Sequence, residues 1–354
     1  MSQPVTGFQV ACVHSIALRS AMVPCRSVDH SVAYQQMFGY VISPTYFYAP
    51  RVSGDRVREF TAQVDSAYVP PGTRRFPENL PKPEDDGLPV LEIRPHSLAK
   101  LRALGKFSNA FGTALKKVGR TAYVDFFAGP GLLRHEKSKE LEWGSPQIPL
   151  QCPDPFGDVV LVERDGESAD ALLTRVRIRA KRGEHVVVIN DAAESAIEDV
   201  ISNIPKRSFA LALVDPFRIE FRLDAIRQIA AARRFDLILL FADGMDLKRN
   251  LDLAMAGDRA HAPRFDAAFG GDDWRGVVVA GEPASRSAGK IIDLYVDKLR
   301  GAGFTHFGNP LVVRNSNEVE VYQLLYATRA DLGVKIWNDC TEPAQLAFNF
   351  DPSV

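Results

Sequence analysis

The stretch Tyr123-Val124-Asp125-Phe126-Phe127-Ala128-Gly129-Pro130-Gly131 decides the fold class of this 354-residue chain. An apolar run ends there in an acid and continues into a Gly-x-Gly turn. Glycines in such a turn allow positive φ and a close approach of backbone to ligand, and cofactors of α/β sheets bind where strands end. The stretch predicts a buried strand whose turn cradles a nucleotide-like molecule, although a purely structural strand exit explains a Gly-x-Gly turn about equally well.

The composition is that of an ordinary globular protein, with 46% hydrophobic residues and 43 Lys+Arg against 44 Asp+Glu. This excludes wholesale disorder and a globally basic nucleic-acid binder. The four cysteines (Cys12, Cys25, Cys152 and Cys340) are scattered and form no CxxC pair, so neither a disulfide framework nor a metal site is indicated. Without a long apolar run or signal-peptide pattern, we expect a soluble, cytoplasmic protein with no membrane partner.

Around that stretch, short apolar runs alternate with helical patterns. The runs are Ala122–Ala128, Asp158–Glu163, Glu184–Asn190, Phe209–Asp215 and Phe235–Asp243. Near-continuous apolar strands separated by helices predict a parallel sheet that is covered on both faces. Two further β-rich runs, Phe304–Val313 and Val319–Thr328, are joined by only five polar residues and must pair antiparallel. The predicted fold is therefore α/β and Rossmann-like, in the strand order of a class I methyltransferase.

The first part of the chain differs in composition, because residues 1–95 hold 11 of the 23 prolines. We predict an irregular N-terminal extension of unknown role over residues 1–90, an α/β domain over 91–338, and a tail over 339–354. Apolar spacing predicts that the domain begins with an amphipathic helix, Ser97–Val118. The other side of this helix carries Lys100, Arg102, Lys106, Lys116 and Lys117, which form either a solvated face or a polyanion-binding face.

Acidic residues follow three of the predicted strands. Asp125 stands where it can meet the ammonium of a cofactor, Glu163 where it can accept from both ribose hydroxyls, and Asp191 where it can accept from an adenine amino group. The rival interpretations are a solvent-exposed strand end for Glu163 and the N-cap of a helix beginning at Ala192 for Asp191. The candidate cofactor-binding residues are Asp125, Ala128, Gly129, Gly131, Glu163 and Asp191.

The cofactor that suits this set is S-adenosylmethionine. The turn lacks the Lys-Ser/Thr pair of a phosphate-binding P-loop and the third glycine of a dinucleotide fingerprint. The missing third glycine also places a dehydrogenase well behind the other hypotheses.

The fourth strand leads into Asp215-Pro216-Phe217, which supplies the catalytic candidates. This turn resembles the Asp/Asn-Pro-Pro-Tyr/Phe turn of amino-methylating enzymes, where the polar groups orient the target amine and the ring stacks on a planar substrate. Positioning of that kind supplies much of the rate when the methyl donor is already reactive. Only one proline follows Asp215, and a tight strand exit with a packed phenylalanine is the alternative.

Distributed motifs resemble the three-Cys-motif partner family, named for genes that accompany a three-cysteine, radical-SAM-like protein. The similarity runs from about residue 95 to about residue 338 and rests on Lys100, Leu101, Leu104 and Phe107, on Tyr123–Gly131, Gly144–Pro146, Leu161–Asp165 and Val214–Phe217, and on Tyr322–Ala327 and Gly333–Trp337. The resemblance implies a Rossmann-like methyltransferase fold and a radical-SAM-like companion protein. Arg218 departs from it, since members of the family tend to have glycine there.

Two hypotheses follow. The first is an S-adenosylmethionine-dependent methyltransferase that N-methylates a nucleic-acid acceptor; the Asp-Pro-Phe turn is also similar to that of transfer-RNA guanine N2-methyltransferases. Phosphate contacts to RNA or DNA would come from Arg134, His135, Arg218, Lys248 and Arg249. The alternative is a non-catalytic protein of the same fold that binds nucleic acid or the radical-SAM-like companion.

Overall fold

The computed structural model describes residues 56–61, 82–94, 96–154, 156–180, 184–278, 284–315 and 317–350. The predicted N-terminal extension lies largely outside these residues. The strands are β1 (Val57–Thr61), β2 (Leu91–Ile93), β3 (Thr121–Asp125), β4 (Leu132–His135), β5 (Leu141–Trp143), β6 (Asp158–Val162), β7 (His185–Ile189), β8 (Phe209–Val214), β9 (Arg234–Phe241), β10 (His306–Phe307), β11 (Leu311–Arg314) and β12 (Glu320–Thr328).

Helices fill most of the intervals between these strands. They are α1 (His96–Leu115), α2 (Ile148–Gln151), α3 (Gly166–Arg179), α4 (Ile197–Ser202), α5 (Leu223–Ala232), α6 (Lys248–Met255), α7 (Ala262–Phe269), α8 (Ala284–Gly301) and α9 (Asp331–Phe350), with shorter turns at Ser145–Gln147, Asp243–Leu247 and Asp273–Val277. In the described part of the chain, no helix is both long and apolar enough to cross a lipid bilayer.

A central sheet of the described residues runs in the order β1-β7-β6-β3-β8-β9-β12-β10, with β11 also paired to β12. Strands β7, β6, β3, β8 and β9 are parallel to one another, and nearly all their residues are buried. Burial on both faces explains the near-continuous apolar runs, because neither side of these strands meets water. The predicted fold is confirmed as α/β and Rossmann-like, with five parallel strands in a doubly wound order.

The last strands reverse direction, as the short connection between them requires. Strand β12 pairs antiparallel with β9, placing Gln323 opposite Phe241, and β11 pairs antiparallel with β12, placing Leu311 opposite Leu324. The predicted antiparallel hairpin is therefore confirmed. Its consequence for a site is that β12 begins at the edge where the parallel strands end.

Two β features were not predicted from the sequence. Strand β1 adds to the sheet antiparallel to β7, with Val57 opposite Ile189. A second, three-stranded sheet forms from β2, β4 and β5, so the segment after the glycine turn is a small hairpin joined by a strand from before α1. These short strands lack the continuous apolar run that marks the buried parallel strands, so they give little signal. Helix α9 also extends through most of the predicted tail.

Helix α1 matches its predicted amphipathic pattern and packs through Phe107, whose ring lies 4.9 Å from that of Tyr326 and 5.2 Å from that of Trp337. Phe107 meets both rings edge-to-face, a favourable arrangement for aromatic pairs, while Tyr326 and Trp337 stack on each other. Because α1 leads into the beginning of β3, its first turns lie near the edge where the parallel strands end. This places Lys100 near that edge.

Candidate active site

The ends of four adjacent parallel strands lie along one edge of the sheet. Asp125 closes β3, while Glu163, Asp191 and Asp215 follow β6, β7 and β8. In register, Asp125 lies opposite Leu161 and Leu213, two positions before the two flanking acids. At about 3.3 Å per residue, Asp125 is therefore roughly 7 Å deeper in the sheet than its neighbours.

Asp125 is fully buried, and one of its carboxylate oxygens has no hydrogen-bond partner in the described structure. Its Oδ1 accepts from the amide of Phe127 at 3.1 Å, whereas Oδ2 is the unpartnered atom. Burial raises the pKa of Asp125 to about 7, against the opposing effect of the nearby Ser145 side chain and the Phe127 amide. Both properties suit a carboxylate that meets a cation when a ligand binds.

Glu163 binds the glycine turn. Its Oε2 accepts from the amide of Gly129 at 2.8 Å, and its Oε1 accepts from the amide of Asp165 at 2.7 Å. Gly129 has φ of +61°, in the left-handed region that favours glycine. The carboxylate thus holds the turn against the end of β6, a role the sequence did not reveal. Each carboxylate oxygen accepts more than one bond, so ribose recognition stays a prediction.

Asp191 is held by protein groups on both oxygens. Its Oδ2 lies 2.5 Å from a guanidinium nitrogen of Arg56, just before β1, and its Oδ1 accepts from the amide of Ala192 at 2.7 Å. The rival interpretation of Asp191 as an N-cap is wrong, because α4 begins at Ile197 and its N-cap is Ala196. A turn takes up the residues between, since the Ala196 amide bonds to the carbonyl of Ala192. Adenine recognition stays a prediction.

The rest of the glycine turn packs on protein atoms. The buried Ala128 donates its amide to the carbonyl of Val162 at 3.0 Å. Gly131 has φ of +81°, and a Cβ there would lie 3.1 Å from Leu172 Cδ1 and 3.3 Å from Gln147 Nε2. Gly131 is thus required by its conformation and by the close packing of Leu172 and Gln147.

Lys100 and Asp215 form a nearly buried ion pair that brings α1 to the end of β8. The Lys100 ammonium lies 2.5 Å from Asp215 Oδ2, and the two side chains are 11% and 15% exposed. Burial alone lowers the pKa of Lys100, but the Asp215 carboxylate outweighs it and the pKa is raised above its usual value. The placement of Lys100 on the outer, solvated or polyanion-binding side of the helix was therefore wrong. Its ammonium also lies 5.5 Å from the ring centre of Tyr322.

Pro216 is buried, but Phe217 is 69% exposed and Arg218 is exposed as well. The alternative of a packed phenylalanine at this strand exit is wrong. The loop is fixed immediately afterwards, because the amide of Ile219 donates to Asp246 Oδ2 at 2.8 Å and Asp246 also pairs with Arg264. An exposed ring on an anchored loop is available for stacking on a planar molecule.

An open hollow of about 540 Å³ lies between the end of β9 and the beginning of β12. Its wall carries charges of both signs, in Lys248, Arg249, Arg314, Glu318 and Glu320. Lys248 pairs with Asp243 at 3.1 Å and with Glu320 at 3.2 Å, whereas Arg249 is exposed.

The other residues predicted to contact phosphate differ in their exposure. Arg134 pairs with Asp85 at 2.7 Å and His135 is buried in β4, so neither offers an open cationic group. Five basic residues were predicted to contact phosphate around the cleft, and the exposed ones are Arg218 and Arg249.

Arg175 is buried and connects separate segments of the chain through its hydrogen bonds. Its guanidinium bonds the Asp86 carboxylate at 2.6 and 2.8 Å and donates to the carbonyls of Pro89 at 2.7 Å and Pro130 at 2.6 Å. It therefore ties the segment before β2 to the glycine turn. The sequence signal for its burial is its position among apolar residues of α3.

The donor set fits the amino-acid end of S-adenosylmethionine better than a metal ion. Among the described residues, Oδ2 of Asp125 and both side-chain amide atoms of Gln147 are buried without hydrogen-bond partners near the glycine turn. A zwitterion supplies a cation for the first and both a donor and an acceptor for the second. The described residues contain no group of three or more His, Cys, Asp or Glu arranged to hold a metal ion.

The sequence matches no family model and no curated protein. Among solved structures, protein LPL1258 from Legionella pneumophila is similar at 12% identity and a TM-score of 0.42, over 72% of this chain and 93% of that one. Trm1 from Pyrococcus horikoshii, in complex with S-adenosyl-L-methionine, is similar at 13% identity and a TM-score of 0.39, over 74% of this chain and 64% of that one. The O-methyltransferase from Bacillus cereus in complex with SAH is similar at 10% identity and a TM-score of 0.37, over 68% of this chain and 84% of that one.

Proposed function

We propose that this protein is an S-adenosylmethionine-dependent methyltransferase that N-methylates a planar amino group in a nucleic acid. The observation that carries the proposal is the convergence of Asp125, Glu163, Asp191 and Asp215 at the ends of four adjacent parallel strands. In open α/β sheets, ligands bind in the crevice outside the strand ends. Resemblance to the three-Cys-motif partner family points to the same activity and adds a radical-SAM-like companion as a proposed partner.

On the cofactor side, Asp125, Ala128, Gly129 and Gly131 would face the amino-acid end, with Glu163 at the ribose. Asp191 stands one strand further along, where the adenine would lie. Bound S-adenosylmethionine supplies an electrophilic methyl group that needs no further activation. The residues of the chain therefore act by holding and orienting the reactants.

On the acceptor side, Asp215 is held by Lys100 through Oδ2, which leaves Oδ1 to accept a hydrogen bond from the acceptor N–H. That bond orients the nitrogen lone pair toward the methyl group. Asp215 Oδ1 would hold the N–H proton during transfer, and solvent would take that proton once the nitrogen is methylated. Because Lys100 neutralises Asp215, the site favours an uncharged ring amine over an alkylammonium ion.

The exposed ring of Phe217 supports a planar acceptor, and the exposed Arg218 and Arg249 support a phosphate-bearing one. Base–aromatic stacking contributes about 1–3 kcal/mol per base in single-stranded nucleic-acid complexes. Guanidinium groups bind phosphate oxygens in two-pronged geometry. Nucleic acid combines the two requirements in one polymer.

The test has two stages. Calorimetry with S-adenosylmethionine should give saturable binding, and labelled cofactor should transfer its methyl group to an RNA or DNA pool and not to cell protein. Asp215→Ala should abolish transfer and keep cofactor binding, whereas Asp224→Ala, an exposed acid on α5, should keep both. A folded protein that binds no cofactor at millimolar concentration contradicts the proposal.

A non-catalytic role is the second candidate, favoured by the engagement of Asp215 with Lys100 and by the bulky Arg218 beside it. In that role the protein would grip nucleic acid or the radical-SAM-like companion without transferring a methyl group. Cofactor binding without transfer to any pool, together with unchanged nucleic-acid binding by Asp215→Ala, would support this role over catalysis.

A further inference from the structure

The side-chain amide of Gln147 is fully buried and makes no hydrogen bond in the described structure. Its relative exposure is 0%, and neither Nε2 nor Oε1 has a partner. Leaving a buried polar group unpaired costs about 1–3 kcal/mol, and native structures contain few such groups. An apolar side chain of the same length would avoid this cost, so Gln147 calls for a role other than stability.

The surroundings of Gln147 belong to the glycine turn. Nε2 lies 3.3 Å from the position that a Cβ of Gly131 would occupy. The segment that carries Gln147 is pinned to the turn, because the amide of Gly144 donates to the carbonyl of Gly131 at 3.1 Å. The same segment approaches β3, since the Tyr123 hydroxyl lies 3.4 Å from the carbonyl of Ser145.

A second buried atom without a partner in the described residues, Oδ2 of Asp125, lies at the end of β3, the strand that this segment approaches through Tyr123 and Ser145. Together the two side chains offer one unused donor group and two unused acceptor atoms. An α-amino acid end supplies the complement, since its carboxylate accepts and its ammonium donates. An ionised phosphate only accepts hydrogen bonds, and a purine offers no cation to the buried Asp125 carboxylate.

We infer that Gln147 is a cofactor-binding residue that recognises the zwitterionic amino-acid end of S-adenosylmethionine together with Asp125. Nε2 donates to the carboxylate, while Oε1 and Asp125 Oδ2 accept from the ammonium. This inference rests on the proposed function and names the part of the cofactor that Gln147 selects.

The experiment compares two ligands that share the nucleoside. S-adenosylhomocysteine carries the amino-acid end, whereas 5′-deoxy-5′-methylthioadenosine lacks it. Calorimetry should show the wild-type protein preferring S-adenosylhomocysteine. Gln147→Met should weaken S-adenosylhomocysteine about 10- to 100-fold, the loss expected for hydrogen bonds to charged groups, and leave methylthioadenosine within about twofold.

Gln151→Met is the matched control, because Gln151 lies one helical turn further along and also has a buried, unpartnered amide nitrogen. It should leave the preference between the two ligands unchanged. The melting temperature of Gln147→Met should equal or exceed that of the wild type, since the substitution removes an unpaired buried amide. If Gln147→Met fails to fold, Gln147→Leu gives a second apolar variant that should again weaken only S-adenosylhomocysteine.

The outcomes separate the two claims. Wild-type protein that binds S-adenosylhomocysteine, with a preference that survives both Gln147 substitutions or falls equally in Gln151→Met, overturns the role of Gln147 and leaves the proposed function standing. Wild-type protein that binds neither ligand overturns the proposed function and this inference together.

Discussion

The ammonium of Lys100 lies 2.5 Å from Oδ2 of Asp215, although 115 residues separate them in the chain. The pair joins the helix before the first parallel strand to the loop that carries the proposed catalytic residues. It holds one oxygen of Asp215 and neutralises its charge, so Asp215 is suited to accept a hydrogen bond and not to attract a cationic acceptor.

Removing Lys100 should leave Asp215 as an uncompensated, nearly buried charge. We expect Lys100→Met to lower the free energy of unfolding by about 3 kcal/mol, as for other broken buried pairs. The double variant Lys100→Met/Asp215→Leu should recover much of this loss, because no buried charge remains. Urea denaturation of the two single variants and the double variant measures the coupling; additive losses would contradict a direct pair.

Glu163 should support both the glycine turn and cofactor binding. Glu163→Ala leaves the amides of Gly129 and Asp165 without their acceptor, so we expect a stability loss of about 1–3 kcal/mol and a cofactor affinity at least about tenfold lower. Glu167→Ala, an exposed acid in the first turn of α3, should leave the affinity unchanged. Calorimetry and thermal unfolding of both variants provide the measurement, and equal effects would contradict the specific role of Glu163.

The pKa of Asp125 predicts a pH dependence of stability. Because burial raises this pKa to about 7 from an ordinary value near 4, the native state binds a proton more tightly than the unfolded state. The stabilising contribution is complete below about pH 4 and disappears as the pH rises through about 7. Asp125→Asn lacks this titration.

The free energy of unfolding of Asp125→Asn relative to wild type should therefore increase from about pH 4 to about pH 7, with a slope approaching about 1.4 kcal/mol per pH unit. Urea unfolding of both proteins at several pH values from 4 to 8 gives the difference. A difference that stays constant with pH would show that Asp125 ionises normally.

Arg175 should be indispensable for the segment that precedes β2. Arg175→Lys keeps the charge but cannot bond Asp86 and two carbonyls at once, because a lysine lacks the planar fork. We expect a loss of about 2–4 kcal/mol and faster proteolysis within residues 82–94. Arg207→Lys, at an exposed position, should change neither the stability nor the rate of proteolysis. An Arg175→Lys variant as stable as wild type would contradict the structural role of Arg175.

Phe217 should act on the acceptor and not on the fold. Because its side chain is 69% exposed, Phe217→Ala should change the free energy of unfolding by less than about 0.5 kcal/mol. Loss of stacking should raise KM for a nucleic-acid acceptor about tenfold, with Phe217→Tyr close to wild type. Steady-state kinetics with the acceptor found in the labelling experiment provides the check, and an unchanged KM would remove Phe217 from the acceptor site.

The sheet was predictable because its signal is local. Each of β3, β6, β7, β8 and β9 is a short apolar run bounded by polar residues, and observed and predicted boundaries differ by three residues at most. Helix α4 was less predictable, since the residues from Ala192 to Ala196 form a separate turn before it. Strands β2, β4 and β5 were missed because three or four residues give no measurable period.

The order of strands and helices, the parallel sheet and the acids at the strand ends follow from the amino-acid sequence alone, because apolar spacing acts over a few neighbouring residues. Tertiary structure decided which groups meet: Lys100 with Asp215, Arg175 with Asp86, Asp191 with Arg56, and the unpaired amide of Gln147 beneath the glycine turn. Those partners lie far apart in the chain. Strand register and helix packing bring them together, and no local pattern encodes either one.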